Sequence, residues 1–202
     1  VLRSVRFDKV ALVIKATPEK TLAHAMISKL RFKSGEIAIF LPFSGTWSVY
    51  QAFDDEWTHQ GNWKYAYDFI ITDEEGKSFK NDGDELSDYH AYKKPVLSPV
   101  SGYVVETMAY LEDNIIGEVD NVQNWGNFVI LQTLSGIYVE LSHFSKDSVT
   151  LKRGDYVEAG QFLGLCGNSG YSPQPHIHIQ VQESAYLGAK TLPFSFVSHV
   201  IE

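Results

Sequence analysis

Three clusters of side chains in this 202-residue sequence have types and spacings suited to chemistry. The first is Pro175-His176-Ile177-His178-Ile179. In an extended strand alternate residues share a face, so Ile177, Ile179 and Val181 fall on one side and both histidines on the other. Residues two apart lie roughly 6.6 Å apart along a strand. One imidazole can therefore bind a metal with the other beside it, or both can bind, and spacing does not choose. The second cluster runs from His59 to Asp68. In a strand from Tyr65 to Ile71, Asp68 shares its face with Ala66 and Ile70, an apolar side where an unpaired carboxylate is costly. A cation would remove that cost, whereas a surface aspartate at a strand end would need none. The third is Tyr138-Val139-Glu140-Leu141-Ser142-His143-Phe144, a strand closed by a histidine ahead of the polar turn Ser145 to Ser148. Alone, such a histidine is more often a half-buried strand-end residue than a catalytic one.

Other reactive side chains carry less. His24 lies opposite Leu22 and Met26 on a short helical face, His90 sits in an acidic stretch and His199 in the C-terminal tail, so all three read as incidental. Cys166, the single cysteine, lies in the apolar run Phe162 to Cys166 and reads as a buried core thiol. No His-Glu-x-x-His occurs, so the base glutamate of that zinc motif is missing.

The elements that must position these groups are mostly strands. One segment reads as helix, with Thr17 as N-cap, Pro18 in the first turn and Leu22, Met26 and Leu30 on one face. The remainder alternates, or runs β-branched and aromatic between Gly, Asn, Asp and Pro turns, at Val100 to Val105, Asn127 to Leu134, Ile137 to Leu141 and His176 to Val181. The expected fold is mainly β, an antiparallel two-sheet core with a groove whose floor carries Asp68, His143, His176 and His178, preceded by a small α/β segment. A boundary near residue 45 separates residues 1–45, of unassigned role, from residues 46–202. Between Asp68 and Pro95, the run containing Asp73, Glu74, Glu75, Asp82, Asp84, Glu85 and Asp88 reads as a solvated surface loop; it lacks the ligand spacing of an EF-hand.

Composition narrows the partners. Lys and Arg number 17 against 25 Asp and Glu, a formal charge of −8 that opposes binding to phosphate backbones, so nucleic acid is not expected. No apolar window is long enough for a membrane span. The chain begins at Val1 without a leader pattern, and the expectation is a fragment of a larger or anchored protein.

From Trp57 to about Glu183 the sequence resembles the lysostaphin-like, M23-type zinc metallopeptidases, whose pattern is an early His with a downstream Asp, a strand-end His and a late His-x-His. Scaffold segments match too. Pro95 to Val104 resembles the family's Pro-Val-x-Ala-x-x-x-Gly-x-Val, and Gly126-Asn127-Phe128-Val129-Ile130 its Gly-Asn-x-Val-x-Ile. Glu140 to Phe144 stands where the family has Tyr-Ala-His-Leu. Gly160 to Gly164 and Gly167 to Gly170 match the glycine-rich run that leads to the His-x-His. The His and Asp are nine positions apart here rather than four, as in a variant branch with a longer turn.

The resemblance implies Zn²⁺ held by His59, Asp68 and His178, with His143 and His176 as the catalytic pair. It implies a peptidase domain over residues 46–202, an endopeptidase activity on the peptide part of bacterial peptidoglycan, and a periplasmic or extracellular place in the cell envelope. Two imidazoles, a carboxylate and a water make an open tetrahedral zinc site, in which the bound water's pKa falls toward about 7. Two rivals are a catalytically silent binding or scaffold domain and a phosphocarrier-like β domain using paired histidines. Retention of all five positions opposes the first, and a carboxylate facing those histidines would repel the phosphate of the second.

Overall fold

The computed structural model describes residues 13–16 and 37–197. The helix read at Thr17 to Leu30, with His24 on it, and His199 lie outside the described residues. Twelve strands are described: β1 (Val13–Ala16), β2 (Ala38–Ile39), β3 (Gly45–Gln51), β4 (Ala66–Ile70), β5 (Pro95–Leu97), β6 (Gly102–Met108), β7 (Asn127–Thr133), β8 (Tyr138–Phe144), β9 (Tyr156–Val157), β10 (Phe162–Leu165), β11 (Ile177–Gln182) and β12 (Ser195–Phe196). The fold is mainly β, as expected, but its layers are unequal. Eight strands form one antiparallel sheet in the order β1-β3-β4-β11-β8-β7-β6-β9, while β5 with β10 and β2 with β12 form two small ladders, the second of them parallel.

Alternation decides which face of the large sheet is apolar. Tyr67 and Phe69 of β4, Ile177, Ile179 and Val181 of β11, Val139 and Leu141 of β8, and Val129 and Leu131 of β7 enter one continuous core. Val96 of β5, Leu163 of β10 and Phe196 of β12 join the same core, so the small ladders cover that face. Burying each such aliphatic or aromatic side chain contributes about 1.5–3 kcal/mol. A one-residue slip of β11 would move Ile177, Ile179 and Val181 out of that core, so its register is strongly fixed. The other face is also buried along β11 and β8, but there it is polar: His178, Gln180, Gln182, Glu140 and Ser142 all lie within it. Cys166 is buried in the core, where loss of solvation raises its thiol well above the ordinary value.

Several register shifts interrupt the alternation, and two of them shape the polar face. On β8, Ser142 and Phe144 face Phe128 and Asn127, consecutive residues of β7, which leaves His143 as the extra residue. His143 has φ 70°, the left-handed region that few residues other than glycine adopt. On β3, Val49 and Gln51 face Phe69 and Asp68 of β4, so Tyr50 is extra. In the acidic stretch Asp73, Glu74, Glu75, Asp82, Asp84 and Glu85 are exposed, as a surface loop requires. Asp88 departs from that pattern: it is buried, accepting from Asn81 Nδ2 and closing a capping box with Glu85. Trp47 packs in the core, whereas Trp57 stands 62% exposed on the groove wall.

Candidate active site

Asp68 is held on the polar face because its neighbours Tyr67 and Phe69 enter the core. It is 1% exposed. Strand pairing sets His178 directly across from it, and His178 Nδ1 lies 2.9 Å from Asp68 Oδ1. His59 arrives from the loop after β3. Thr58 donates its N–H and its hydroxyl to Gln51 Oε1 (3.2 and 3.1 Å), which turns the loop back. His59 Nε2 then lies 3.3 Å from Asp68 Oδ1, and a short 3-10 turn at Gly61–Trp63 takes up the nine-residue spacing to Asp68. Gln51, moved into register by the β3 bulge, donates Nε2 to the second carboxylate oxygen at 2.7 Å.

The protons on these rings follow from their second partners. His59 Nδ1 is 2.9 Å from the Ala52 carbonyl, which can only accept, so Nδ1 carries a proton. In the neutral ring, Nε2 is then a lone pair. It is buried, has no hydrogen-bond partner and faces a carboxylate oxygen. On the other side, His178 Nε2 is 3.1 Å from Gln180 Oε1 and donates to it, which leaves Nδ1 as the nitrogen facing Asp68. Two imidazole nitrogens thus converge on one carboxylate oxygen. Such an arrangement is unfavourable unless a positive charge lies between them, either a proton on His178 Nδ1 or a metal ion. His59, Asp68 and His178 accordingly form a buried group able to hold a metal ion. Two imidazoles and a carboxylate are a donor set suited to zinc with a coordination position left open.

His143 and His176 stand beside this group, their ring centroids 4.6 Å apart. His143 Nδ1 donates to the Ser169 carbonyl at 2.7 Å, and His176 Nδ1 donates to the Gln174 carbonyl at 2.9 Å. Each neutral ring therefore keeps an unprotonated Nε2; that of His176 lies 3.8 Å from Asp68 Oδ2. Burial, followed by the neighbouring imidazoles, pushes His143 well below its ordinary pKa, and burial lowers His176 also. For Asp68, burial alone would raise the carboxyl, but the imidazoles of His59, His176 and His178 hold it well below the carboxylate range. Burial opposes charge on His178 as well, yet Asp68 and then Glu140 and Gln180 hold its pKa up. A metal at Nδ1 would take the place of that proton.

All five residues line or floor a groove of about 890 Å³, a volume that suits a small organic ligand or a peptide segment rather than an ion alone. Tyr50, Trp57, Trp63, Trp125 and Tyr171 make much of its wall. Trp125 stacks edge-on to His178 at 5.5 Å, and Trp63 braces Trp125 while donating to the Gly188 carbonyl. The structure thus brings together every candidate residue read from the sequence. His90 lies away from them, in the loop. Sequence reasoning missed Gln51, Ser169 and Gln180. Gln180 did carry a signal, since it shares the alternation of His176 and His178, but Gln51 carried none because a bulge places it.

The profile of Peptidase family M23 matches residues 87–188. That stretch contains His143, His176 and His178; His59 and Asp68 precede it and are joined to it by the pairing of β4 with β11. Lysostaphin from Staphylococcus staphylolyticus is 37% identical over 89 residues, covering 43% of this chain and 15% of that protein. Peptidoglycan DD-endopeptidase ShyA from Vibrio cholerae is 32% identical over 69 residues, covering 34% of this chain and 16% of that protein. The aligned stretch is thus about a sixth of the length of each relative. Among solved structures, lysostaphin from Staphylococcus simulans superposes with a TM-score of 0.43 at 24% identity, over 66% of this chain and 43% of that one. With its profile matched over half of the sequence, across the strand-end histidine and the His-x-His, the chain belongs to peptidase family M23.

Proposed function

We propose that the chain is a zinc-dependent endopeptidase acting on the peptide part of bacterial peptidoglycan, with residues 46–202 as the peptidase unit. One observation carries this reading: His59 Nε2 and His178 Nδ1 converge on a single oxygen of Asp68 inside a groove that two further neutral imidazoles share. His59, Asp68 and His178 would hold Zn²⁺, which when bound supplies Lewis acidity toward a carbonyl and a water acidic enough to ionise near neutral pH. Gln51 fixes the orientation of the Asp68 carboxylate. His143 and His176, held neutral by burial with Nε2 unprotonated, can accept a proton and return it to a departing amine. Once protonated, either ring can donate to an oxyanion. The groove, at about 890 Å³, can take a short peptide segment.

The substrate class follows from the relatives, which include a glycyl-glycine endopeptidase and a peptidoglycan DD-endopeptidase. A periplasmic or extracellular site of action goes with that substrate. The test is zinc content together with hydrolysis of purified cell-wall sacculi, for the wild-type chain and for Asp68→Ala. The reading expects one zinc per chain and release of peptide fragments, both lost in the variant. A wild-type protein that binds zinc but leaves sacculi and their peptides intact would point to a silent binding domain instead.

A further inference from the structure

Three of the four groove histidines have the protonated nitrogen set by a backbone carbonyl: His59 by Ala52, His143 by Ser169 and His176 by Gln174. His178 is different. Its partner is the side-chain amide of Gln180, which can present either an acceptor or a donor depending on which way it is turned. If turned over, Gln180 would offer N–H to Nε2, favour the opposite tautomer and put a proton on the nitrogen that faces Asp68.

Its orientation is locked by what surrounds its NH₂ group. Gln180 Nε2 donates to Gln182 Oε1 at 2.7 Å and to Glu140 Oε2 at 3.3 Å, both acceptors. Gln182 is locked in turn, because its Nε2 donates to the backbone carbonyls of Ser184 and Tyr186 at 2.8 and 2.9 Å. Those carbonyls cannot donate, so each amide upstream has one allowed direction. Glu140, Gln180 and Gln182 are all 0% exposed, so bulk solvent does not reach these bonds.

We infer that the buried side-chain relay Gln182–Gln180, braced by Glu140, is a positioning device that keeps a proton on His178 Nε2 and so turns Nδ1 toward the metal. This rests on the proposed zinc site at His59, Asp68 and His178. Partners in the outer shell of a metal-bound imidazole fix its tautomer and raise its basicity, and their loss typically lowers metal affinity 10–100-fold.

The test compares zinc affinity, by competition with a chelator, for the wild type, Gln180→Met and Gln182→Met. The methionine variants keep the volume and remove the amide. Gln180→Met should bind zinc roughly 10–100-fold more weakly, and Gln182→Met should shift affinity in the same direction by less. In nuclear magnetic resonance spectra of the zinc-loaded protein, the His178 Nε2 proton should be hydrogen-bonded and slow to exchange in the wild type and fast in Gln180→Met. A role confined to packing would lower unfolding temperature without moving either readout. Equal zinc affinity in wild type and Gln180→Met, with an unchanged Nε2 proton, would overturn the relay and leave the metal site standing. Failure of the wild type itself to bind zinc would remove the metal site and the relay together. Should Gln180→Met not fold cooperatively, Gln182→Met, one link further from the ring, decides by the same comparison.

Discussion

His143 and His176 donate Nδ1–H to the Ser169 and Gln174 carbonyls and sit in a setting that keeps them neutral. Neither belongs to the group that converges on one Asp68 oxygen. Removing either ring should therefore leave zinc bound while removing a proton acceptor or oxyanion donor from the groove. His143→Ala and His176→Ala are each expected to lower turnover roughly 10²–10³-fold, with one zinc per chain retained. Metal content and peptide hydrolysis measured on the same preparations check this, and loss of zinc from His176→Ala would make that ring a ligand. At this scale the sequence was informative wherever simple alternation holds. Asp68 lies between two aromatics, and His176 and His178, on either side of Ile177, could be assigned to a shared face by parity alone. His143 could not, since parity groups it with Leu141 and the core; only a bulge, which composition does not announce, turns it into the groove.

Strand β8 carries that bulge, and the turn opposite holds it. Gly126 has φ 63°, and a Cβ there would come within 2.3 Å of the Ser169 carbonyl oxygen, the same oxygen that accepts from His143 Nδ1. Asn127, one residue on, takes Ser169 Oγ on its N–H and sends Nδ2 to the Phe144 carbonyl, so both sides of the bulge are tied to one loop. Gly126→Ala must strain the backbone and displace Ser169. The expected cost is about 1–3 kcal/mol of stability, with turnover falling further than that loss of folded protein explains and zinc content unchanged. Denaturant titration and hydrolysis rates at saturating zinc separate the two effects; wild-type turnover in the variant would show that the His143 ring does not depend on this turn. Strands β4, β6, β7, β8 and β11 were readable from periodicity, with ends within a few residues of those observed, whereas the remaining strands were not. Their assembly into one large sheet with two small ladders was not, because alternation states which side of a strand is apolar and not which strand lies beside it.

The large sheet as a whole is apolar on one face and, over its central strands, buried and polar on the other, and this second face sets a condition on stability. Glu140 is fully buried there, accepting from Ser142 Oγ at 2.9 Å and from Gln180 Nε2 at 3.3 Å. Burial dominates these hydrogen bonds and raises its carboxyl from 4.5 to about 7. A carboxyl with a folded-state pKa above its unfolded value binds more protons when folded than when unfolded. Its effect on stability is therefore absent below about pH 4.5, grows unfavourable as pH rises toward about 7, and is constant above that. The full difference corresponds to about 3 kcal/mol. Glu140→Gln can keep an acceptor toward Gln180 and turn its NH₂ toward the Ser142 hydroxyl, so it removes the charge while preserving the relay. Whatever the other titrating groups contribute to both proteins, the metal-free wild type should lose stability relative to the variant between about pH 4.5 and about 7, leaving the variant the more stable of the two above that window. Urea unfolding of both proteins at a series of pH values measures this directly, and parallel curves would mean that the sheet's polar face keeps Glu140 ionised without penalty.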